Sequence, residues 1–201
     1  MPKLLIVEDD ADIVDRIAAQ GDTYSKDLLL DLRNMEEVKS CIVHRIVTDN
    51  TQIPADYLSD EVQTLGLEKL NSSFIANESG SYHTKVPIII LDDSSFAEYR
   101  GDANDANVIA VNIIWDSVHS ERTNRQYIPF LNTDKEIILK INGKDIPVSG
   151  FAESLPVLRE ELTQYSLTLV ISESYYTSLG FNLTADETIY TVKLTDKPFR
   201  K

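Results

Sequence analysis

Glu136-Ile137-Ile138-Leu139-Lys140-Ile141-Asn142-Gly143-Lys144-Asp145-Ile146-Pro147-Val148 carries the clearest local signal in the chain. Asn-Gly between two alternating runs marks a β-hairpin, because both residues tolerate the positive φ of a type I′ turn. The pattern pairs residues 136–141 with 144–148 and sets Ile137, Leu139 and Ile141 on one face. Moving back along the chain, 108–115 and 85–91 read as strands, and Ser94 or Ser95 is expected to cap a short helix over 96–100. Pro54 opens an expected helix over 55–70, with Leu58, Val62, Leu65 and Leu70 buried and Gly66 as its weak point. Residues 40–47 read as a strand. Ser25 is the expected N-cap of a helix over 26–34, whose apolar face is Leu28, Leu29 and Leu32. Ile13, Val14 and Ile17 have helical spacing until Gly21, and 3–7 reads as a buried strand.

Forward of the hairpin, 167–171 is an expected strand. Ser172 caps a helix over 173–179, with Gly180 placed as its C′ glycine. A strand over 188–194 follows. Helices alternating with strands and one hairpin give an α+β class: a mixed sheet with short helices and a β-rich inserted lobe. No repeat or low-complexity tract interrupts this order.

Lys and Arg number 19 against 33 Asp and Glu, a net charge of −14 over 201 residues. Phosphate backbones are bound through a surplus of Lys and Arg, so the balance argues against nucleic acid as a partner. It disfavours anionic lipid headgroups for the same reason. The hydrophobic share of 42% is enough to build a core. Cys41 is the single cysteine, which leaves no intramolecular disulfide and no Cys-based metal cluster.

Chemistry-bearing residues are scattered. His44, His83 and His119 have no second His or Cys at ligand spacing, so a zinc site needs three separate elements to converge. Gly101-Asp102-Ala103-Asn104-Asp105-Ala106-Asn107 is rich in oxygen ligands but lacks the later Gly and Glu of a calcium loop. Asp92-Asp93 is a paired carboxylate at a strand end, yet adjacent strand residues point to opposite faces. No Gly-x-Ser-x-Gly elbow and no Gly-rich phosphate cradle occurs. Asn71, Asn77 and Asn182 each open a glycosylation tripeptide, at a frequency that chance explains in a Ser/Thr-rich chain. The residues therefore lead us to expect no catalytic, cofactor-binding or metal-ligating set.

Two resemblances extend this reading. Pro2-Lys3-Leu4-Leu5-Ile6-Val7-Glu8-Asp9-Asp10 resembles the opening strand and acidic pocket of response-regulator receiver domains. Val47-Thr48-Asp49 and Thr195-Asp196-Lys197-Pro198-Phe199 resemble later receiver segments. That resemblance implies phosphorylation on Asp49, with Mg²⁺ held by Glu8, Asp9 and Asp10. The spacings depart from it: Lys197 comes far too late, and Asp92-Asp93 replaces the Ser or Thr expected after the apolar strand.

The longer resemblance runs from about Gly21 to Lys193. Ile53-Pro54-Ala55-Asp56-Tyr57-Leu58, then Pro87-Ile88-Ile89-Ile90-Leu91-Asp92-Asp93-Ser94-Ser95-Phe96, then Leu167-Thr168-Leu169-Val170-Ile171-Ser172-Glu173-Ser174-Tyr175-Tyr176 resemble, in order, the large extracytoplasmic domain of FtsX-like (MacB-type) ABC transporter permeases. The resemblance implies a non-catalytic domain on the extracytoplasmic face of the bacterial cell membrane, as a segment of an integral membrane protein. It would bind or sense a peptide or lipid, or pass motion to the chain's own transmembrane helices. ATP hydrolysis would belong to a separate ATPase subunit. It implies one domain over 1–201, in two subdomains of about 1–71 plus 151–201 and 72–150, with residues 1–13 set apart as an added segment.

Overall fold

A computed structural model describes residues 22–72, 74–101, 106–121, 123–154 and 167–194, and the backbone of 14–20. The expected strand over 3–7 lies outside the described residues. The architecture is α+β, with a mixed parallel and antiparallel sheet and short helices. Two compact units share it. The first takes the described residues up to Val47, then Ile89–Glu98 and those from Ser172; the second takes Thr48–Ile88 and Tyr99–Ile171. The unit boundaries thus fall near 47, 88, 98 and 171, whereas the sequence resemblance placed them near 71 and 150. Strands β2 (Val38–Pro54) and β3 (Ser81–Leu91) pass from one unit into the other.

In the first unit, β1 (Val14–Gln20) pairs antiparallel with β11 (Glu187–Leu194), from Val14 opposite Lys193 to Gln20 opposite Glu187. Helical spacing of Ile13, Val14 and Ile17 pointed elsewhere. Seven consecutive partners on a distant strand outweigh the apolar spacing of so short a segment. The other side of β11 pairs antiparallel with β2, from Glu187 opposite Ile46 to Leu194 opposite Val38, with a register shift at Lys193/Leu194.

Helix α1 (Lys26–Asn34) begins where expected: Ser25 Oγ accepts from Leu28 N at 3.1 Å, supplying one of the partners that a first turn lacks. Only part of the expected apolar face is covered. Leu29 is buried with Cys41, Val43, Tyr190 and Val192, Leu32 is half-buried against them, and Leu28 is exposed. Tyr190 keeps its polar tip satisfied inside this cluster. Its hydroxyl accepts from Ser25 N at 2.7 Å and donates to Thr23 O at 3.3 Å. Ser172 caps α5 (Glu173–Ser178) by accepting from Tyr175 N at 3.3 Å, and Gly180 follows at φ 72° as a left-handed stop.

The second unit contains β10 (Thr168–Ser172), antiparallel to β4 (Val108–Val111), which pairs in parallel with β9 (Gly150–Ala152). The expected strand over 108–115 is divided in two. Buried Asn112 ends β4, and its side chain donates to Leu131 O at 2.9 Å and accepts from Leu131 N at 2.6 Å, imitating a strand pair. Beyond it, β5 (Ile114–Trp115) pairs antiparallel with β6 (Tyr127–Ile128).

The single helix expected over 55–70 is also divided, into a 3-10 turn (Ala55–Tyr57), α2 (Asp60–Leu65) and α3 (Leu67–Leu70). Two local causes act. Ser59 accepts from Val62 N as a new N-cap and donates to Pro129 O at 2.6 Å, while Gly66 at φ 86° turns the chain between the last two pieces. The turn at Gly66 brings Leu67 into the core, where Leu65 was expected; Leu65 is half-buried.

β7 (Ile138–Ile141) and β8 (Lys144–Pro147) form the expected hairpin, with Asn142 at φ 47° and Gly143 at φ 77°. Ile137, Leu139, Ile141 and Ile146 are buried, and Ile138 is 41% exposed. Gly143→Val is expected to lower stability by about 1 kcal/mol or more, because a β-branched residue resists positive φ. Gly150→Ala is the control, since an added Cβ meets only Ile109 at 3.5 Å and Ala106 at 3.6 Å, ordinary contact distances. Urea unfolding of both variants checks the contrast. Equal losses would show that conformation at Gly143 is not what the hairpin depends on.

Candidate functional site

The densest polar cluster of the first unit is built around Arg33. A cation in the last turn of α1 suits the negative end of the helix dipole, and its length carries the guanidinium beyond the helix. Nε donates to Cys41 O on β2 at 3.0 Å; Nη2 donates to Asp92 Oδ2 and Ser95 Oγ, both at 2.9 Å. Asp92 follows β3 directly and opens α4 (Asp93–Arg100). Its carboxylate accepts from Ser95 N at 3.2 Å, from Ser95 Oγ at 2.7 Å and from Ser94 Oγ. Sequence reasoning gave the capping role to Ser94 or Ser95. The residue before the helix takes it, because a carboxylate there meets both the free amides and the positive end of the dipole.

Burial alone would raise the Asp92 pKa. Hydrogen bonds from Ser94, Ser95, Arg33 and the Ser95 amide outweigh it and lower the value to about 2. Burial dominates at Cys41 and pushes its thiol pKa up, so the residue is a neutral core group rather than a nucleophile. Beside this cluster lies an open cavity of about 320 Å³, lined by Arg33, Lys39, Ser40, Cys41, Ile42, Ser94, Ser95 and Glu98. Two cations and three hydroxyls against one acid favour a polar ligand that accepts hydrogen bonds. Both α4 hydroxyls donate to Asp92, a carboxylate whose lowered pKa makes it a weak base, so neither is an activated nucleophile.

The other residues singled out from the sequence do not converge on it. Asp93 diverges from Asp92 and accepts from Ser174 N at 3.1 Å, so the acid pair forms no joint site. His44 is buried on β2 in the first unit. His83 lies 3.3 Å from Gln52 Nε2, and His119 Nδ1 lies 2.9 Å from Asp116 Oδ2; both belong to the second unit. Asp49 sits within β2, and its Oδ1 accepts from Asn50 N at 2.7 Å. Glu8, Asp9 and Asp10 lie outside the described residues, as do residues 102–105 of the oxygen-rich loop. Among the described residues no group of three or more His, Cys, Asp or Glu side chains could hold a metal ion.

Arg33 and Lys39 escaped the sequence reading. Nothing in their local pattern distinguishes them from solvated helix-end and turn cations, and Asp92 lies 59 residues from Arg33. No protein-family model, curated protein or solved structure matches this chain.

The Asp92 pKa sets the direction of acid sensitivity. Its folded value lies below the ordinary carboxylate value of 3.8, so its contribution to stability is present above that pH and is lost as pH falls toward about 2. The contribution is on the order of 1–2 kcal/mol once partial exposure is allowed for. Urea midpoints measured from pH 5 to pH 2 should fall steeply below pH 4, and less steeply in Asp92→Asn. Parallel slopes in the two proteins would show that this carboxylate does not drive acid unfolding. Cys41 supplies a second readout: a maleimide should label it only in denaturant.

Proposed function

We propose that this chain is a non-catalytic extracytoplasmic domain of an FtsX-like (MacB-type) ABC transporter permease. In this reading it binds or senses a peptide or lipid outside the cell, or relays motion between that ligand and the membrane. Its partners are its own transmembrane helices and a separate subunit that hydrolyses ATP. The observation that carries the reading is the pairing of β1 with β11, in which Val14 lies opposite Lys193. A domain spliced between two membrane helices has to receive and return its chain at one end, and an antiparallel pair of outer strands does so. The Arg33 cavity, with binding chemistry and no paired nucleophile and base, agrees with it. The described helices include none long and apolar enough to cross a membrane. Phosphorylation at Asp49 draws no support from the described geometry, because Asp49 lies inside β2 rather than at a strand end.

Two measurements test this. In cells producing the natural gene product with Cys41→Ser and Ser79→Cys, an impermeant maleimide should label the membrane fraction of intact cells, since Ser79 is exposed. Labelling only after lysis would overturn the extracytoplasmic placement. Incubation of purified protein with acetyl phosphate and Mg²⁺ should leave the intact mass unchanged. One added phosphoryl group that disappears in Asp49→Asn would replace this reading with the receiver one.

A further inference from the structure

The described arginine side chains are unequally provided for. Arg33 donates to Asp92, Ser95 and Cys41. Arg45 pairs with Glu173 at 2.6 Å and lies 4.3 Å from the Tyr24 ring centre, and Arg100 donates to Ala106 O at 3.4 Å. Arg125 is different. Its guanidinium carbon lies 5.2 Å from the ring centre of Trp115, and among the described residues no oxygen accepts from it.

The ring beneath it is held in place. Trp115 Nε1 donates to Ser120 Oγ at 2.9 Å; that hydroxyl donates to Asp116 O at 2.5 Å and accepts from Gln126 N at 3.1 Å. Asp116, the nearest acid in sequence to the indole, is turned inward. Its Oδ1 accepts from the amides of Val118 and His119, and its Oδ2 meets the His119 ring. Burial would raise its pKa, but those contacts lower it, so the charge stays engaged inside the loop. Glu121, on the same loop, makes no ion pair among the described residues. Trp115 and Tyr127 are cross-strand partners, so their side chains rise on one face of the β5–β6 hairpin. Tyr127 is 39% exposed, and Val118 on the connecting loop is 47% exposed.

We propose that this hairpin face binds a peptide carboxylate, accepted by the Arg125 fork, with an adjacent apolar side chain of the peptide resting on Tyr127 and Val118. Attraction to the indole face 5.2 Å away holds the guanidinium near the hairpin without consuming its N–H groups, which leaves them available for bidentate carboxylate recognition. The total charge selects among anions. A chain of net −14 repels a surface carrying many negative charges, whereas a ligand with one carboxylate meets little of that field within a screening length of about 8 Å. A peptide end therefore fits better than an anionic membrane. The site is distinct from the Arg33 cavity and stands whether or not the domain belongs to a transporter.

Trp115 is the single tryptophan, so its emission reports on this site alone. Purified protein is titrated with a short N-acetylated peptide ending in leucine with a free carboxylate, and with the same peptide amidated. The acid should change Trp115 emission saturably and the amide should bind about tenfold or more weakly, the loss expected for removing a charge-assisted bidentate contact. Arg125→Ala should weaken the acid by a similar factor. Arg125→Lys, which keeps charge but loses the planar fork, should fall between the two, and exposed Lys140→Ala should match the parent protein. Equal binding of acid and amide, or an unchanged response in Arg125→Ala with native circular dichroism, would overturn the proposal. So would a response to phosphatidylglycerol vesicles with none to the peptide, which would assign the face to a membrane.

Discussion

One guanidinium ties the first unit together. Arg33 leaves the end of α1 and meets a β2 carbonyl, the carboxylate that follows β3 and a hydroxyl in the first turn of α4. Each contact alone would be modest. Their value lies in closure, since the carboxylate that takes the guanidinium also caps α4, and the carbonyl belongs to Cys41 in the apolar cluster under α1. Removing the cation would leave a half-buried carboxylate and a strand carbonyl without it, and uncompensated partners cost more than the pair contributes. The position of α1, the start of α4 and the shape of the adjoining cavity therefore depend on a single side chain.

Legibility in the sequence followed the range of the interaction. Caps at Ser25 and Ser172 and the left-handed stop at Gly180 were readable because cause and effect lie within a few residues. The Asn142-Gly143 turn was readable for the same reason, and its alternation then fixed which isoleucines are buried. Segment 14–20 was misread because its outcome is set by strand β11, more than 160 residues on, and seven residues of apolar spacing weigh little against a full ladder. At 55–70 the helical pattern was real but did not include the pull of Ser59 toward Pro129 or the turn at Gly66. The Arg33 cluster is the extreme case, since neither partner's neighbourhood signals the other.

The same distinction separates the two polar centres. In the first unit, three of the cavity residues are ordered by a shared network: Ser94 and Ser95 give their protons to Asp92, and Asp92 gives its lone pairs to them and to Arg33. Satisfied groups of this kind hold a shape and offer a ligand only their outer edges. The hairpin of the second unit is arranged the other way. Its buried acid faces inward onto backbone amides, its indole is pinned at one end, and among the described residues no oxygen accepts from the guanidinium near the ring.

That contrast bears on how an acidic chain can retain a cation for outside use. With 33 acids present, an exposed Arg would ordinarily find one of them, and exposed pairs form and break at little cost in free energy. Glu121, four residues before Arg125, makes no ion pair among the described residues, so keeping Arg125 open requires that the buried carboxylate of the loop be occupied and that another surface hold the guanidinium. Asp116 meets the first condition through three donors from Val118 and His119. Trp115 meets the second, because an aromatic face attracts the cation without consuming its N–H groups. Both conditions lie within the β5–β6 hairpin. The two-residue strands on either side need only hold Trp115 and Tyr127 in register for the whole arrangement to persist.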